Sequence, residues 1–249
     1  MSTNVLHELA HANFQKRKQK TYPGRVIMIG LDPTGKFLVQ FYAIMGRSSG
    51  SRERHFWADQ FNRLQVLPLD PNQLTRPGAN LIFYRAMDSL GDTHVVTNGN
   101  HTQDIIDGIG RCDSLFESLR ERKYEEDPSA TCRIAGVCSN WKSVQTSKFY
   151  VLRKSPFGDG CDRLHYQYDS LQPGFGHIIS TYVDDGEPLP PWQGEPDLMP
   201  VEGEPDEIFQ AYQDMLAGEH LVACALKVID VESGKVEIMV ANKYAPLVS

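Results

Sequence analysis

The sequence predicts an α+β fold built mostly of antiparallel sheet, two sheets packed together with helices outside. Three observations predict it. Apolar runs of strand length recur along the 249 residues and are joined in pairs by short turn signals. Longer stretches with apolar residues at helical spacing fall between groups of such strands, near 103–124 and after Asp206. Hairpins outnumber helical crossovers, which favours antiparallel over doubly wound parallel sheet.

The elements follow in order. Residues 1–20 read as an N-terminal arm ahead of one domain spanning 21–249. Val5, Leu9 and Ala12 lie at helical spacing and predict a short amphipathic helix; the basic run Lys16-Arg17-Lys18-Gln19-Lys20 reads as solvated. Residues 25–30 form an apolar strand, Asp32-Pro33-Thr34-Gly35 a turn, and 36–44 the returning strand, with a loop carrying Arg47 and Arg52 at its far end. Strands at 80–87 and 93–97 pair around Leu90-Gly91-Asp92. Asn98-Gly99 ends that strand and Thr102 is a candidate N-cap. Ile105, Ile109, Cys112, Phe116 and Leu119 then predict an amphipathic helix over 103–124, stopped before Pro128. Further strands are expected at 133–138, 148–152 and 177–182. Residues 184–205, rich in Pro, Gly and acid, are expected as a surface loop. Asp206 caps a helix with Ile208, Phe209, Tyr212, Met215 and Leu216 on one face, and 221–229 with 235–242 make a last hairpin.

Composition narrows the function classes. Twenty-five basic against 32 acidic residues give a net charge of −7, which speaks against nucleic acid as a partner. A local basic pocket is still allowed, because the field in a cleft is set by its nearest groups. The five Cys are odd in number and lack CxxC spacing, so free thiols in a reducing cytoplasm are expected, with no metal site. No apolar stretch reads as a secretory signal or reaches membrane-spanning length, so no membrane partner is expected.

Three polar blocks stand among the apolar segments: Tyr22-Pro23-Gly24-Arg25, Gly46-Arg47-Ser48-Ser49-Gly50-Ser51-Arg52, and Thr97-Asn98-Gly99-Asn100-His101-Thr102. Each is suited to a small phosphorylated anion. Arg forks match phosphate oxygens, small residues admit the backbone, and a helix N-terminus offers free N–H groups. By composition alone the ordinary readings stand beside these: a flexible polar loop, a turn with a cap, a structural His101. Tyr84 in a strand and Glu125 in an acidic run read by themselves as a core tyrosine and a solvated acid.

Taken in order, these blocks resemble the archaeal-type IMP cyclohydrolase family. Matching segments are Tyr22–Arg25, the Arg47/Arg52 loop, Tyr84 ahead of Gly91-Asp92-Thr93, Asn98–Thr102, Tyr124-Glu125-Glu126-Asp127, Arg133-Ile134-Ala135 and Ile179-Ser180-Thr181-Tyr182, covering about residues 22–183. Two departures stand out. The family's Ser-Ser-Arg-Ser-Phe-Pro-Asn-Arg loop here lacks Phe-Pro, and its Tyr-Glu-Lys-Asp has become Tyr-Glu-Glu-Asp. The resemblance implies a four-layer αββα sandwich similar to the N-terminal-nucleophile hydrolases. It also implies dehydrative closure of 5-formamidoimidazole-4-carboxamide ribotide to IMP. Arg52, Tyr84 and Glu125 are the implied catalytic residues: Arg52 and Tyr84 donate to the formyl oxygen, and Glu125 takes the carboxamide proton. Arg25, Arg47 and Arg133 are implied for the 5′-phosphate, and Asn98, His101 and Tyr182 for ribose or base. The implied partner is a small-molecule purine ribotide; no metal and no cofactor are implied. A non-catalytic purine-nucleotide sensor and a related amide hydrolase remain open alternatives, and so does a homo-oligomer.

Overall fold

The computed structural model describes residues 3–75, 78–141 and 144–244; residues 1–2 and 245–249, the outer ends of the expected arm and domain, lie outside the described residues. Helix α1 (Thr3–Lys18) precedes the hairpin of β1 (Val26–Leu31) and β2 (Phe37–Met45). A single turn, α2 (Ser49–Arg52), leads into β3 (Arg54–Ala58) and β4 (Leu64–Pro68). A 3₁₀ turn at Pro71–Thr75 and the short α3 (Ala79–Ile82) precede β5 (Tyr84–Leu90) and β6 (Thr93–Thr97). Helices α4 (Thr102–Gly110) and α5 (Leu115–Ser118) come next, then the meander β7 (Arg133–Trp141), β8 (Val144–Lys154) and β9 (Cys161–Tyr168). The chain closes with β10 (Phe175–Ser180), β11 (Asp197–Pro200), α6 (Pro205–Met215), β12 (Leu221–Asp230) and β13 (Val236–Asn242).

The strands form two sheets, ordered β11-β10-β1-β2-β12-β13 and β3-β4-β5-β6-β7-β8-β9, with every ladder antiparallel. Alternation along each strand sends one set of side chains inward and the other outward. Ile27, Ile29, Leu38, Tyr42 and Ile44 of the first sheet therefore meet Phe56, Val66, Val96, Ile134 and Phe149 of the second in one buried layer. The opposite face of the first sheet, through Met28, Phe41 and Leu226, packs on Ile208, Tyr212 and Met215 of α6. On the far side of the second sheet, Val95, Val137 and Tyr150 receive Ile105 of α4. The expected mixed architecture of two antiparallel sheets with helices outside is what the chain adopts.

Several local expectations need correction. The predicted 103–124 helix breaks after Gly110. Glycine is a poor helix former, Cys112 takes a left-handed φ of 63°, and Ser114 starts a new turn with a capping box to Glu117. A side chain at Gly108 would meet Ser118 Cβ at 2.8 Å, so the fold-back of α5 depends on that glycine. The strand expected at 80–87 begins only at Tyr84, after the turn of α3. The 184–205 stretch is not wholly a surface loop. Its residues 197–200 are β11, paired to β10, and Trp192, Met199 and Val201 are buried. Nor is the basic run entirely solvated. Arg17 is buried, ion-paired to Asp197 at 2.8 Å and set 5.0 Å over the Trp192 ring, which docks α1 against β11. Strands β3, β4 and β9 were not expected.

Candidate functional site

Two of the sequence blocks meet at the open end of the β1–β10 ladder. Arg25 N donates to Thr181 Oγ1 at 3.1 Å, Thr181 N to the Arg25 carbonyl at 2.9 Å, and Tyr182 N to the Pro23 carbonyl at 3.1 Å. Gly24 sits at φ +80°, where a Cβ would collide with the Thr181 hydroxyl and lie 2.6 Å from the Tyr182 ring. Only glycine allows this approach, and it fixes Arg25 at the strand end with its side chain turned inward, nearly buried.

Around Arg25 the two sheets contribute a cluster of phenols, cations and one acid. Tyr42 of β2 and Tyr84 of β5 share a 2.7 Å hydrogen bond between their hydroxyls across the sheets. Burial, with Tyr84 beside it, pushes the Tyr42 phenol well above its ordinary value, so that oxygen keeps its proton. Glu125 is 2% exposed; its Oε2 lies 3.9 Å from Arg25 Nη2, and its Oε1 accepts from Asn98 Nδ2 at 3.3 Å. Burial raises the Glu125 carboxyl above the usual carboxylate range, against the opposing pull of Arg25 and Arg133. Burial opposes the Arg25 charge too, but Glu125 and the phenols of Tyr84, Tyr182 and Tyr42 more than offset it and hold the guanidinium protonated.

The strand-to-helix block supplies the floor. Asn98 reaches across to β7, accepting from Ile134 N at 2.7 Å and donating to the Cys132 carbonyl at 2.9 Å. His101 lies 3.1 Å from the Ile134 carbonyl and 3.4 Å from Arg133 Nη1; burial and that guanidinium lower its pKa to about 3, so it stays neutral. Thr102 opens α4, but its hydroxyl bonds the Arg85 carbonyl and Thr97 instead of capping the helix. Tyr182 shares a 2.6 Å hydrogen bond with Thr131, which in turn donates to Asp127 at 2.6 Å. Arg133 and Asn100 also line an open cleft of about 380 Å³ with Arg122, Lys123, Glu121 and Glu126, beside the buried group; Lys123 is paired with Glu126 and Arg122 with Asp104.

Seven of the nine expected residues are thus brought together: Arg25, Tyr84, Asn98, His101, Glu125, Arg133 and Tyr182. Arg47 and Arg52 have other polar partners. Arg47 pairs with Asp185 at 2.8 Å and stacks over Tyr22; Arg52 donates to the Gly46 carbonyl and to Glu219, both at 3.0 Å. Arg54, not among the expected residues, also stands beside the cluster. It is 1% exposed, donates to the carbonyls of Ser51 and Met45, and has no carboxylate in ion-pair range among the described residues. Burial and the charge of Arg25 lower its pKa, while Tyr84 and Tyr42 draw it the other way. Sequence reasoning missed Arg54 because β3 was not recognised; as a strand, 54–58 alternates Arg54 and Phe56 onto one buried face. Tyr42 lies in a near-continuous apolar strand, where nothing in the sequence marks it out.

The whole group lies within the stretch matched by one family model. That model, IMP cyclohydrolase-like protein, covers residues 22–234. The chain belongs to this family. It is similar to the IMP cyclohydrolase of Methanocaldococcus jannaschii, 27% identical over 222 residues, 86% of this chain and 97% of that one. The IMP cyclohydrolase of Methanococcus aeolicus is 28% identical over 84% of this chain and 96% of its own length. That of Methanothrix thermoacetophila is 28% identical over 66% and 76%. The match thus takes in every strand but β13, and α1 alone of the helices lies outside it.

Proposed function

We propose that the protein is an IMP cyclohydrolase, closing 5-formamidoimidazole-4-carboxamide ribotide to IMP with loss of water. The observation that carries this reading is the convergence of Tyr84 and Glu125 on Arg25 in one buried cluster, in a chain aligned with IMP cyclohydrolases along most of its length. The carboxamide nitrogen attacks the formyl carbon of the same molecule, so catalysis rests on holding the two groups close and on moving two protons. Glu125, with its raised pKa, takes the proton from the attacking nitrogen. Tyr84 donates to the formyl oxygen as it gains charge, its own oxygen supported by the Tyr42 hydroxyl. Tyr84 protonates the oxyanion to give the carbinolamine; Glu125 then returns its proton to that hydroxyl, which leaves as water, while the former formamide nitrogen loses its N–H proton as the C=N bond forms and that proton restores the Tyr84 phenol. No covalent enzyme intermediate, cofactor or metal is required.

Arg25 and Arg54 supply cationic charge beside the reacting amide, and Arg133 faces the 5′-phosphate at the cleft. Asn98, neutral His101 and Tyr182 orient ribose or base. Arg47 and Arg52 stand as rim cations whose partners Asp185 and Glu219 are exposed enough for a phosphate to replace them. The finer likeness to the N-terminal-nucleophile hydrolases belongs to the same reading, supported by two antiparallel sheets between helices. A cytoplasmic setting is supported by five free cysteines, and no described helix is long and apolar enough to cross a membrane.

Incubation of the purified protein with the formylated ribotide, followed spectrophotometrically, should yield IMP. Binding of the ribotide with no IMP would replace the enzyme reading by that of a nucleotide sensor.

A further inference from the structure

Away from this cluster, on the outer side of the first sheet, α1 carries two histidines one turn apart. His7 and His11 stand at i and i+4, so they share a face, and that face looks at Glu202 in the turn between β11 and α6. His11 Nε2 lies 2.9 Å from Glu202 Oε1 and His7 Nδ1 lies 3.9 Å from the same oxygen. One ligand atom from each of the three lies within 4.8 Å of the others. Ligands bound tetrahedrally at about 2.0–2.1 Å stand about 3.3–3.4 Å apart, a value these two distances bracket.

The three side chains are half exposed, yet their supports are fixed. The His7 ring packs on Phe175 with centroids 4.6 Å apart. Helix α1 is held along β11 by Asn13 donating to the Leu198 carbonyl at 3.0 Å and by the buried Arg17–Asp197 pair. Beside Glu202, Val201 N donates to the Gly174 carbonyl at 2.9 Å, and Glu204 N to Glu207. Gly203 takes φ +84°, where a Cβ would meet Glu207 Cβ at 3.0 Å. The turn that presents Glu202 is therefore set by its glycine and by the capping box of α6.

We propose that His7, His11 and Glu202 bind a divalent first-row transition cation of the zinc type, which clips α1 to the body of the protein. Two imidazoles and one carboxylate suit zinc, with water completing the tetrahedron. The cation replaces the His11–Glu202 hydrogen bond by two bonds from α1 and one from the β11–α6 turn. It acts on the docking of α1 and takes no part in ring closure.

The test uses untagged, metal-stripped protein titrated with Co²⁺ and with Zn²⁺. Co²⁺ should develop the visible absorption of a low-coordinate nitrogen–oxygen site at one equivalent, and Zn²⁺ should abolish it by displacement. His7→Ala, His11→Ala and Glu202→Gln should each weaken Zn²⁺ at least about tenfold. Zn²⁺ should slow proteolytic cutting after Lys16–Lys20 in the unsubstituted protein but not in the double variant His7→Ala/His11→Ala. Ring-closure rates should match with and without metal. Equal affinity in the unsubstituted protein and the double variant, or no Co²⁺ band at all, would overturn the proposal.

Discussion

Replacing Tyr84 by Phe removes one oxygen and separates chemistry from folding. That hydroxyl is the partner of the buried Tyr42 hydroxyl at 2.7 Å, so the variant leaves Tyr42 without its partner. An orphaned buried hydroxyl costs about 1–3 kcal/mol. For a chain of this size that lowers Tm by roughly 2–12 °C, at about 2–4 °C per kcal/mol. Tyr42→Phe should cost a similar amount, by orphaning Tyr84 in turn. The double variant should cost less than the two singles added, because removing both partners leaves neither unsatisfied. Turnover should divide the two tyrosines differently. Loss of a donor to a developing oxyanion costs about 10²–10³ in rate, so Tyr84→Phe should fall by that factor. Tyr42→Phe keeps the donor and loses only its support, so a drop of about fivefold is expected, in line with the ~1 kcal/mol of a single hydrogen bond. The assay pairs steady-state IMP formation with calorimetric IMP binding and melting curves for all four proteins. Near-normal turnover in Tyr84→Phe, or equal losses in both single variants, would refute the assigned role.

Other expectations follow from the same geometry. Glu125→Gln should abolish the acid limb of the rate profile, a limb whose midpoint in the unsubstituted enzyme lies above the ordinary carboxylate value because burial raises that carboxyl; a pH–rate series on both proteins checks this. Arg54→Met removes a buried cation without a carboxylate partner. Because Arg54 stands beside the reacting amide and not at the phosphate, calorimetric binding of ribotide and of inosine should weaken alike, about ten- to a hundredfold, the ~1.5–3 kcal/mol of a charged contact. Acid stability is set largely by buried histidines. Burial, aided by Lys227 for His94 and Arg133 for His101, lowers those two to about 3, and burial alone lowers His177 to about 4. The folded state then binds fewer protons than the unfolded chain, so this stability is complete above the ordinary 6.5 and is lost as pH falls toward those values. Glu125 works in the opposite sense as a single group; urea unfolding at several pH values should show net stability falling between about 6.5 and 4.

What is legible in the sequence follows from apolar runs and turn signals. The β1–β2 and β12–β13 hairpins are legible because apolar runs of strand length flank the turn signals Asp32–Gly35 and Ser233-Gly234. Strands β3 and β9 escaped because charged and aromatic residues are mixed along them: Arg54-His55-Phe56-Trp57 and Asp162-Arg163-Leu164-His165 carry no clean apolar alternation. Their stability comes from ladder bonds to neighbours far along the chain, which no local window contains. The site was legible as blocks but not as a cluster. Glu125 looked solvated because its sequence neighbours are acidic, yet its amide bonds the Thr131 carbonyl at 2.8 Å and turns the side chain inward. Arg52 and Arg54 are two residues apart; only the strand start at Arg54 decides which of them is buried.

The Tyr42–Tyr84 hydrogen bond joins one sheet to the other, so the support of the Tyr84 hydroxyl depends on the spacing of the sandwich. Catalysis here would serve as a gauge of core thickness. Shaving a methyl from Ile29 or Phe149-facing positions deep in the shared layer, far from any substrate atom, would let the sheets settle closer and detune the pair while the fold persists. Activity would then fail before structure does.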